Sequence, residues 1–594
     1  MIRTPLRPLA RILKAREQGE NPQAIERENI RLRHEAARDA DRSRAEGRLL
    51  VLGVFFLLAF MAVGTRMGIL AASEPSEPRA NTLGADILNA RADIVDRQGR
   101  ILATNFETSS LYVHPHELID AERVADRLIQ IFPDLDRARL MKDFTGKRKF
   151  KWIKKKISPE QKQAVHDIGD PGLHFGPRDM RLYPNGAIMA HVLGGASFGR
   201  EGVNSAEVIG VAGVEKYYDD WLRDPANGGR PLQLSLDLSV QAATEEVLYG
   251  GMKLLNAKGA SAVMMDVHTG ELLSLVSLPD FDPNTRPRPL TEGDQGDSPL
   301  FNRALQGVYE LGSTFKIFTT AQAQDLGLVN PNTMINTKGP LKWGRFKIRD
   351  FSDYGPELNV TDVIAKSSNV GTARIATMIG PKRQKDFMRS LGFLDPTVLE
   401  MVEANGAKPL WPSNWSDISV MTISYGHGIS TSPVHLAAGY ASLLNGGTKV
   451  DPTLIRRHTP QQGPRIISEE ASKAARKMLR KVVTDGTASF GEVPGYFVGG
   501  KTGTADKPKP NGGYYDEKVI ATFASVFPAH DPKYVLIVTL DEPVETSGPK
   551  ARRTAGWTAV PVAAEVIRRT APLLGMRPGV EQVPLKGVTL TANQ

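Results

Sequence analysis

Cysteine is absent from all 594 residues. Its absence excludes a disulfide scaffold, thiolate metal sites and cysteine catalysis. It does not fix the compartment, because an exported protein can also lack disulfides. A strong excess of one charge is missing too. Lys and Arg number 75 against 66 Asp and Glu, a net +9 with His neutral. That modest excess does not point to nucleic acid, and part of it sits in one N-terminal stretch. No internal repeat or low-complexity tract is present. A phosphate-binding loop is missing: Gly307–Thr314 has no Lys before Ser313. His114-Pro115-His116 lacks metal-motif spacing and reads as a loop. His191 and His427 have no partners visible in the sequence and read as structural. No metal or cofactor is called for. Apolar residues at 41% and charged residues at 24% are ordinary globular usage and exclude wholesale disorder. The length suggests two to four domains.

What is present begins with a basic tail. Residues 1–48 hold 12 Lys and Arg against 8 Asp and Glu, and Ala24–Arg48 favours helix but lacks an apolar stripe. Leu49–Gly64 then runs 16 residues without a charge. The whole segment 49–72 would reach about 36 Å as a helix, enough to span a bilayer core of roughly 30 Å. Arg66 would snorkel near its outer end. A signal peptide is the alternative, but the polar residues upstream argue against one. The basic flank precedes the span, so the positive-inside rule puts the N-terminus in the cytoplasm and everything beyond about Ser73 outside.

Residues 73–83 form a polar, Pro-containing linker. Residues 84–231 mix short strand-like pieces (Ala92–Val95, Ser110–Val113) with helical ones (Ala121–Ile131, Pro159–Ile168), and Gly194–Val211 reads as a glycine-rich loop. Residues 232–575 are denser in apolar runs. Ser261–Val267 and Glu271–Leu278 are strand candidates joined by His268-Thr269-Gly270. Ala521–Phe527 and Tyr534–Leu540 form a second pair. Helical segments lie between the pairs, and Val560–Thr570 is a helix after them, with Pro561 in its first turn. Strands at both ends with helices inserted predict one sheet built from distant pieces, an α+β fold. Residues 576–594 form a C-terminal tail with no assigned role.

Three short motifs occur in order: Ser313-Thr314-Phe315-Lys316, Ser367-Ser368-Asn369 and Lys501-Thr502-Gly503-Thr504. The first two patterns arise by chance in a chain of this length, whereas K-T-G is expected only about 0.1 times. A second S-x-x-K, Ser547–Lys550, follows K-T-G and carries Pro549, which opposes a helix, so it is set aside. The spacing has a chemical sense. Gly312 precedes a helix-compatible run, so Ser313 sits at a helix start with Lys316 one turn on along the same face. A serine hydroxyl is a weak nucleophile and needs a base. Lysine serves only when neutral, and burial with a neighbouring cation such as Lys501 lowers its pKa. Ser367 is placed to relay a proton to a leaving amine and Asn369 to hold a peptide. Lys501, Thr502 and Thr504 suit a substrate carboxylate. The backbone N–H groups of Ser313 and Thr504 suit an oxyanion. Taken singly, each residue has a plainer role, such as helix cap, solvated lysine or strand end; order and context favour the enzyme.

With these residues in hand, the chain resembles a class B penicillin-binding protein. Arg91–Gly99 is similar to the signature that opens the family's non-catalytic domain. Arg181–Pro184, Ala190–Gly194 and Gly213–Lys216 fit as well. Ser235-Leu236-Asp237 with Gln241, Asp282-Pro283-Asn284 and Asn302-Arg303-Ala304 are similar to the transpeptidase domain. Three motifs depart from the pattern: Leu311 stands where Pro is usual, Ala92 where Gly is, and Thr431-Ser432-Pro433 where Val-Thr-Pro is. Gly312 remains, so the helix start should survive.

The resemblance implies a single-span protein with an extended α+β pedestal and a serine β-lactamase-like transpeptidase domain, its central antiparallel sheet flanked by helices. It implies a D,D-transpeptidase that cross-links peptidoglycan stem peptides. Ser313 would attack a D-Ala-D-Ala terminus, with Lys316 and Ser367 catalytic. Asn369, Lys501, Thr502, Gly503 and Thr504 would bind substrate. An amine from a neighbouring stem peptide would accept the acyl group, and β-lactams would acylate Ser313. The short tail, Lys501–Lys507 and Ser368–Gly371 are most similar to the division-specific subgroup, the FtsI type. That subgroup implies a septal location in the bacterial inner membrane, a polytopic glycan polymerase of FtsW type as partner, and other division proteins. An elongation-specific relative would share all three motifs. A bifunctional class A protein would need a glycosyltransferase domain, for which residues 84–231 are too few. A β-lactamase or β-lactam sensor fits the anchor and the extra domain poorly. A catalytically idle scaffold is opposed by the intact motifs.

Overall fold

A computed structural model describes residues 7–19, 21–72, 91–201, 206–344, 346–461, 463–509 and 512–579. The expected linker, the first residues of the pedestal and most of the C-terminal tail lie outside the described residues. The chain divides into two compact units.

The first unit comprises Met1–Glu77, Val113–Lys151 and Ile168–Leu173. It holds two N-terminal helices, Arg7–Glu17 and Pro22–Ala72. The stretch before the apolar run continues the long helix, with i,i+4 pairs Arg31–Glu35 at 3.4 Å and Arg42–Glu46 at 2.9 Å along it. This helix is long and apolar enough to cross a membrane. Its Leu50, Phe55 and Phe60 side chains are exposed, a surface costly in water and favourable in lipid. The remainder carries helices Ala121–Ile131 and Arg137–Phe144, each started by an Asp side chain that accepts a backbone N–H: Asp120 from Arg123, and Asp136 from Arg139. The expected loop at His114–His116 forms a 3-10 turn over Pro115–Glu117.

The second unit is built on a five-stranded antiparallel sheet. Its order is Gly499–Pro508, Tyr514–Phe527, Tyr534–Asp541, Gly259–Asp266, Leu272–Leu278. The two predicted strand pairs therefore join through Tyr534–Asp541 and Gly259–Asp266, with Val538 opposite Ala262. Every residue of Leu272–Leu278 is buried, so both faces of the sheet are covered. Helices Leu238–Leu254 and Ala559–Leu573 pack on it together, and Pro433–Leu444 and Glu469–Asp485 pack on it as well.

A second sheet holds Ile101–Val113, Lys151–Ile157, Leu173–Leu182 and two short strands, Ile94–Val95 and Leu232–Gln233. The signature residues of the pedestal meet beside it. Glu215 is fully buried and accepts from Arg91 Nε at 2.7 Å and Arg181 Nε at 2.6 Å, while Arg91 Nη1 also reaches Asp219 at 2.7 Å. Asp96 accepts from the Leu238 N–H at 3.1 Å, and Gln98 donates to Asp237 at 2.9 Å. These bonds fasten the 91–100 turn to the start of helix Leu238–Leu254.

The expectation of a loop at Gly194–Val211 is corrected. Gly195–Glu201 and Ala206–Ala212 are paired antiparallel strands. The glycines there serve close backbone approach: a Cβ on Gly194 would lie 2.2 Å from the Ala212 carbonyl.

Candidate active site

The Ser313 turn comes first. Gly312 takes φ +58°, a left-handed value that glycine adopts without a Cβ penalty. A 3-10 turn, Gly312–Phe315, runs into helix Lys316–Asp325. The helix start thus survives the Leu311 departure, with Lys316 rather than Ser313 as its first residue. The helix is anchored by apolar packing of Phe315, Phe318 and Phe393, whose ring centroids lie 5.0–5.6 Å apart. Tyr440 donates to the Thr314 carbonyl at 2.8 Å.

The second motif supplies the meeting point. Ser367 sits at φ +62°, a strained value for a non-glycine residue. Lys316 Nζ donates to the Ser367 carbonyl at 2.6 Å and to its hydroxyl at 3.0 Å. Lys501 Nζ donates to the same hydroxyl at 2.9 Å, to the Thr502 carbonyl at 3.1 Å and to Thr502 Oγ1 at 3.4 Å. Ser368 caps helix Asn369–Ile379 through the Gly371 N–H. Asn369 donates to the Arg349 carbonyl at 2.9 Å.

The third motif lies within the edge strand Gly499–Pro508, in register Lys501 opposite Ala524 and Thr504 opposite Ala521. Gly503 is required by proximity: a Cβ there would meet the Leu311 carbonyl oxygen at 2.2 Å. Thr502 Oγ1 lies 2.7 Å from Thr487 Oγ1, and Thr504 Oγ1 accepts from the Ala555 N–H at 3.0 Å. The Thr504 backbone abuts Gly312, which brings the third motif against the first.

Both lysines are fully buried. Burial, then the charge of Lys501, pushes the Lys316 amine well below the usual lysine value, and Asp350 acts in the opposite sense. Burial lowers Lys501 to about 7. Hydrogen counting separates the two. A neutral amine has two N–H donors and one lone pair. Lys316 spends two donors on Ser367, so deprotonation leaves its lone pair to receive a proton. Lys501 has three acceptors, which suits an ammonium. The Ser367 oxygen accepts from both lysines, so its own hydrogen is left to donate. Among the described residues the Ser313 hydroxyl has no hydrogen-bond partner.

The structure thus brings all three motifs together, and it adds residues the sequence did not mark. Asp350 accepts from the Ser368 hydroxyl at 2.7 Å and from the Val370 N–H at 3.0 Å, holding the second motif in place. His427 has a carboxylate partner after all, Glu310, at 3.0 Å. No spacing rule joins these residues, because their partners are far apart in sequence. His191 is buried, with Nε2 3.3 Å from the Pro279 carbonyl and its pKa lowered by burial to about 4.

Comparison with known proteins agrees with this geometry. Residues 260–567 match the penicillin binding protein transpeptidase domain, and residues 86–232 match the penicillin-binding protein dimerisation domain. The chain is 35% identical to the probable peptidoglycan D,D-transpeptidase FtsI of Caulobacter vibrioides, over 93% of this chain and 94% of that protein. It is 29% identical to peptidoglycan D,D-transpeptidase FtsI of Escherichia coli K12, over 77% of this chain and 80% of that protein. It is 28% identical to stage V sporulation protein D of Bacillus subtilis, over 91% and 88%. With both domains matched in order and the Caulobacter relative, at 35% identity, covered over 94% of its length, the chain belongs to the penicillin-binding protein transpeptidase family, as a class B member of the FtsI type.

Proposed function

We propose that this protein is a membrane-anchored serine D,D-transpeptidase that cross-links peptidoglycan stem peptides through an acyl-enzyme on Ser313. The observation that carries the reading is the convergence of two buried lysines on the Ser367 hydroxyl, with burial and the Lys501 charge both lowering the Lys316 pKa. Neutral Lys316 takes the Ser313 proton as the serine oxygen attacks the penultimate D-Ala carbonyl. The Ser313 and Thr504 N–H groups receive the oxyanion. The Ser367 hydrogen passes to the departing D-Ala amine, and Lys316 restores it. Asn369 holds the peptide backbone of the donor, and Lys501 with Thr502 and Thr504 holds its carboxylate. An acceptor amine then attacks the ester by the same steps in reverse, freeing Ser313. A β-lactam enters the first half-reaction and stays on the serine, because its leaving amine remains tethered.

The apolar helix anchors the chain, with residues 1–48 cytoplasmic, residues 84–231 as pedestal and residues 232–575 as the catalytic domain outside the membrane. The family type supports a septal role beside a polytopic glycan polymerase of FtsW type and other division proteins. The test is intact-mass analysis of the full-length protein with a β-lactam, wild type against Ser313→Ala. A lasting single adduct on the wild type alone supports the reading. No adduct on folded wild type overturns it in favour of a scaffold. An adduct that is quickly lost points to a lactamase. A fluorescent fusion spread along the side wall, instead of concentrated at the septum, overturns the division role.

A further inference from the structure

Beside the nucleophile turn, three side chains from three separate segments close a ring. Glu310 lies three residues before Ser313, and its side chain is only 9% exposed. His427 Nδ1 is 3.0 Å from Glu310 Oε2. The Tyr514 hydroxyl is 3.1 Å from His427 Nε2 and 3.2 and 3.3 Å from the two Glu310 oxygens. The Gly428 N–H adds a fourth contact, donating to Glu310 Oε1 at 2.7 Å.

The ring joins parts that frame the site. The His427 loop presses on the nucleophile turn: a Cβ on Gly426 would lie 2.0 Å from the Gly312 oxygen. Tyr514 opens strand Tyr514–Phe527 and pairs with Pro508 at the end of the strand that carries Lys501–Thr504. Glu310 therefore ties the far end of that hairpin, and the loop, to the turn bearing Ser313.

A carboxylate oxygen 3.0 Å from Nδ1 favours the imidazolium over the neutral ring, and the Tyr514 hydroxyl lies within hydrogen-bond reach of both Glu310 and Nε2.

We propose that His427 is a positioning residue that works as an imidazolium pin, locking the far end of the Lys501–Thr504 hairpin to the Ser313 turn and releasing it when the proton is lost. The charged and titratable groups that face it agree. They are Glu310 from the nucleophile turn, Asp506 from the hairpin strand, and the phenols of Tyr425 and Tyr514. The hydrogen bond to Glu310 raises the His427 pKa against the opposing effect of burial, and the charges of Glu310 and Asp506 add to the rise. His427 pulls the other way on Asp506, which burial raises.

The kinetic arm of the test rests on the acyl-serine reading above; the spectroscopic arm does not. The His427 Cε1–H resonance is followed by NMR against pH in the full-length protein, assigned by its loss in His427→Gln. Its midpoint is expected above the ordinary imidazole value, and lower in Tyr514→Phe. Acylation by a fluorescent penicillin is followed across the same pH range. The wild type should lose rate on the alkaline side with the His427 midpoint. Tyr514→Phe should be slowed about three- to tenfold below that midpoint and show no such limb. A wild-type midpoint at or below the ordinary value overturns the pin. So does a Tyr514→Phe protein, folded by its melting curve, with unchanged midpoint and unchanged pH profile. Wild type that titrates as expected but takes no penicillin overturns the acyl-serine reading and leaves the cationic ring supported.

Discussion

Lys316 and Lys501 point their Nζ atoms at one oxygen, the Ser367 hydroxyl, from 3.0 and 2.9 Å. Two buried cations cannot share so small a space at neutral pH. Burial and the Lys501 charge push the Lys316 pKa well down, and burial lowers that of Lys501 to about 7. The pair therefore titrates as a unit, and the acid side of the acylation profile reports the pair and not either residue alone.

Replacing Lys501 with Met should stabilise the protein while disabling it. Its folded pKa of about 7 lies below the unfolded lysine value of 10.5, so the unfolded state binds more protons between the two. The burial penalty is in full force below about pH 7 and is relieved as pH rises toward the unfolded value. Lys501→Met should gain about 1–4 kcal/mol at pH 7 and less at higher pH. Acylation should fall roughly a hundredfold with loss of the carboxylate clamp. Melting curves against pH and penicillin-labelling rates measure both.

Ser367 separates backbone strain from chemistry. At φ +62°, glycine is easier to accommodate than alanine. Ser367→Gly should be about 1 kcal/mol more stable than Ser367→Ala. Both lose the shared acceptor of the lysines, so both should acylate roughly a hundredfold or more slowly. Equal stability of the two variants in urea would show that the turn rearranges.

Glu215→Gln should be among the costliest single changes. Glu215 and the side chains of Arg91 and Arg181 are all at most 3% exposed. Removing the carboxylate charge leaves two buried guanidiniums with, among the described residues, one acidic partner, Asp219, on Arg91 alone. The expected loss is about 3–5 kcal/mol, read as an earlier unfolding step in urea.

Gly503→Ala tests the contact between the third motif and the nucleophile turn. The added methyl meets the Leu311 carbonyl at 2.2 Å and Thr314 Cγ2 at 2.9 Å, and the first of these is backbone. The turn must move, so acylation should slow at least about tenfold with the fold retained. Stopped-flow labelling with a fluorescent penicillin measures it.

The local features of this protein were written in short-range pattern. The charge-free run at Leu49–Gly64 determined a helix able to cross a bilayer, because length and hydropathy alone decide that. Alternation and turn residues marked the sheet strands at 261–278 and 521–540. The Ser-x-x-Lys spacing set serine and lysine one turn apart, since helical geometry is the same wherever such a turn forms. Glycine density misled at Gly194–Val211, because glycine marks a close backbone approach as readily as a loop. The sequence also offered no route to Asp350 beneath Ser368, or to Glu310 with His427 and Tyr514. Those contacts are made between segments that no period connects. The chain itself thus determined which chemical groups are present and in what order. Tertiary structure alone decided how the two lysine pKa values are lowered and which histidine is paired, because a pKa depends on burial and on charges brought near from elsewhere in the fold.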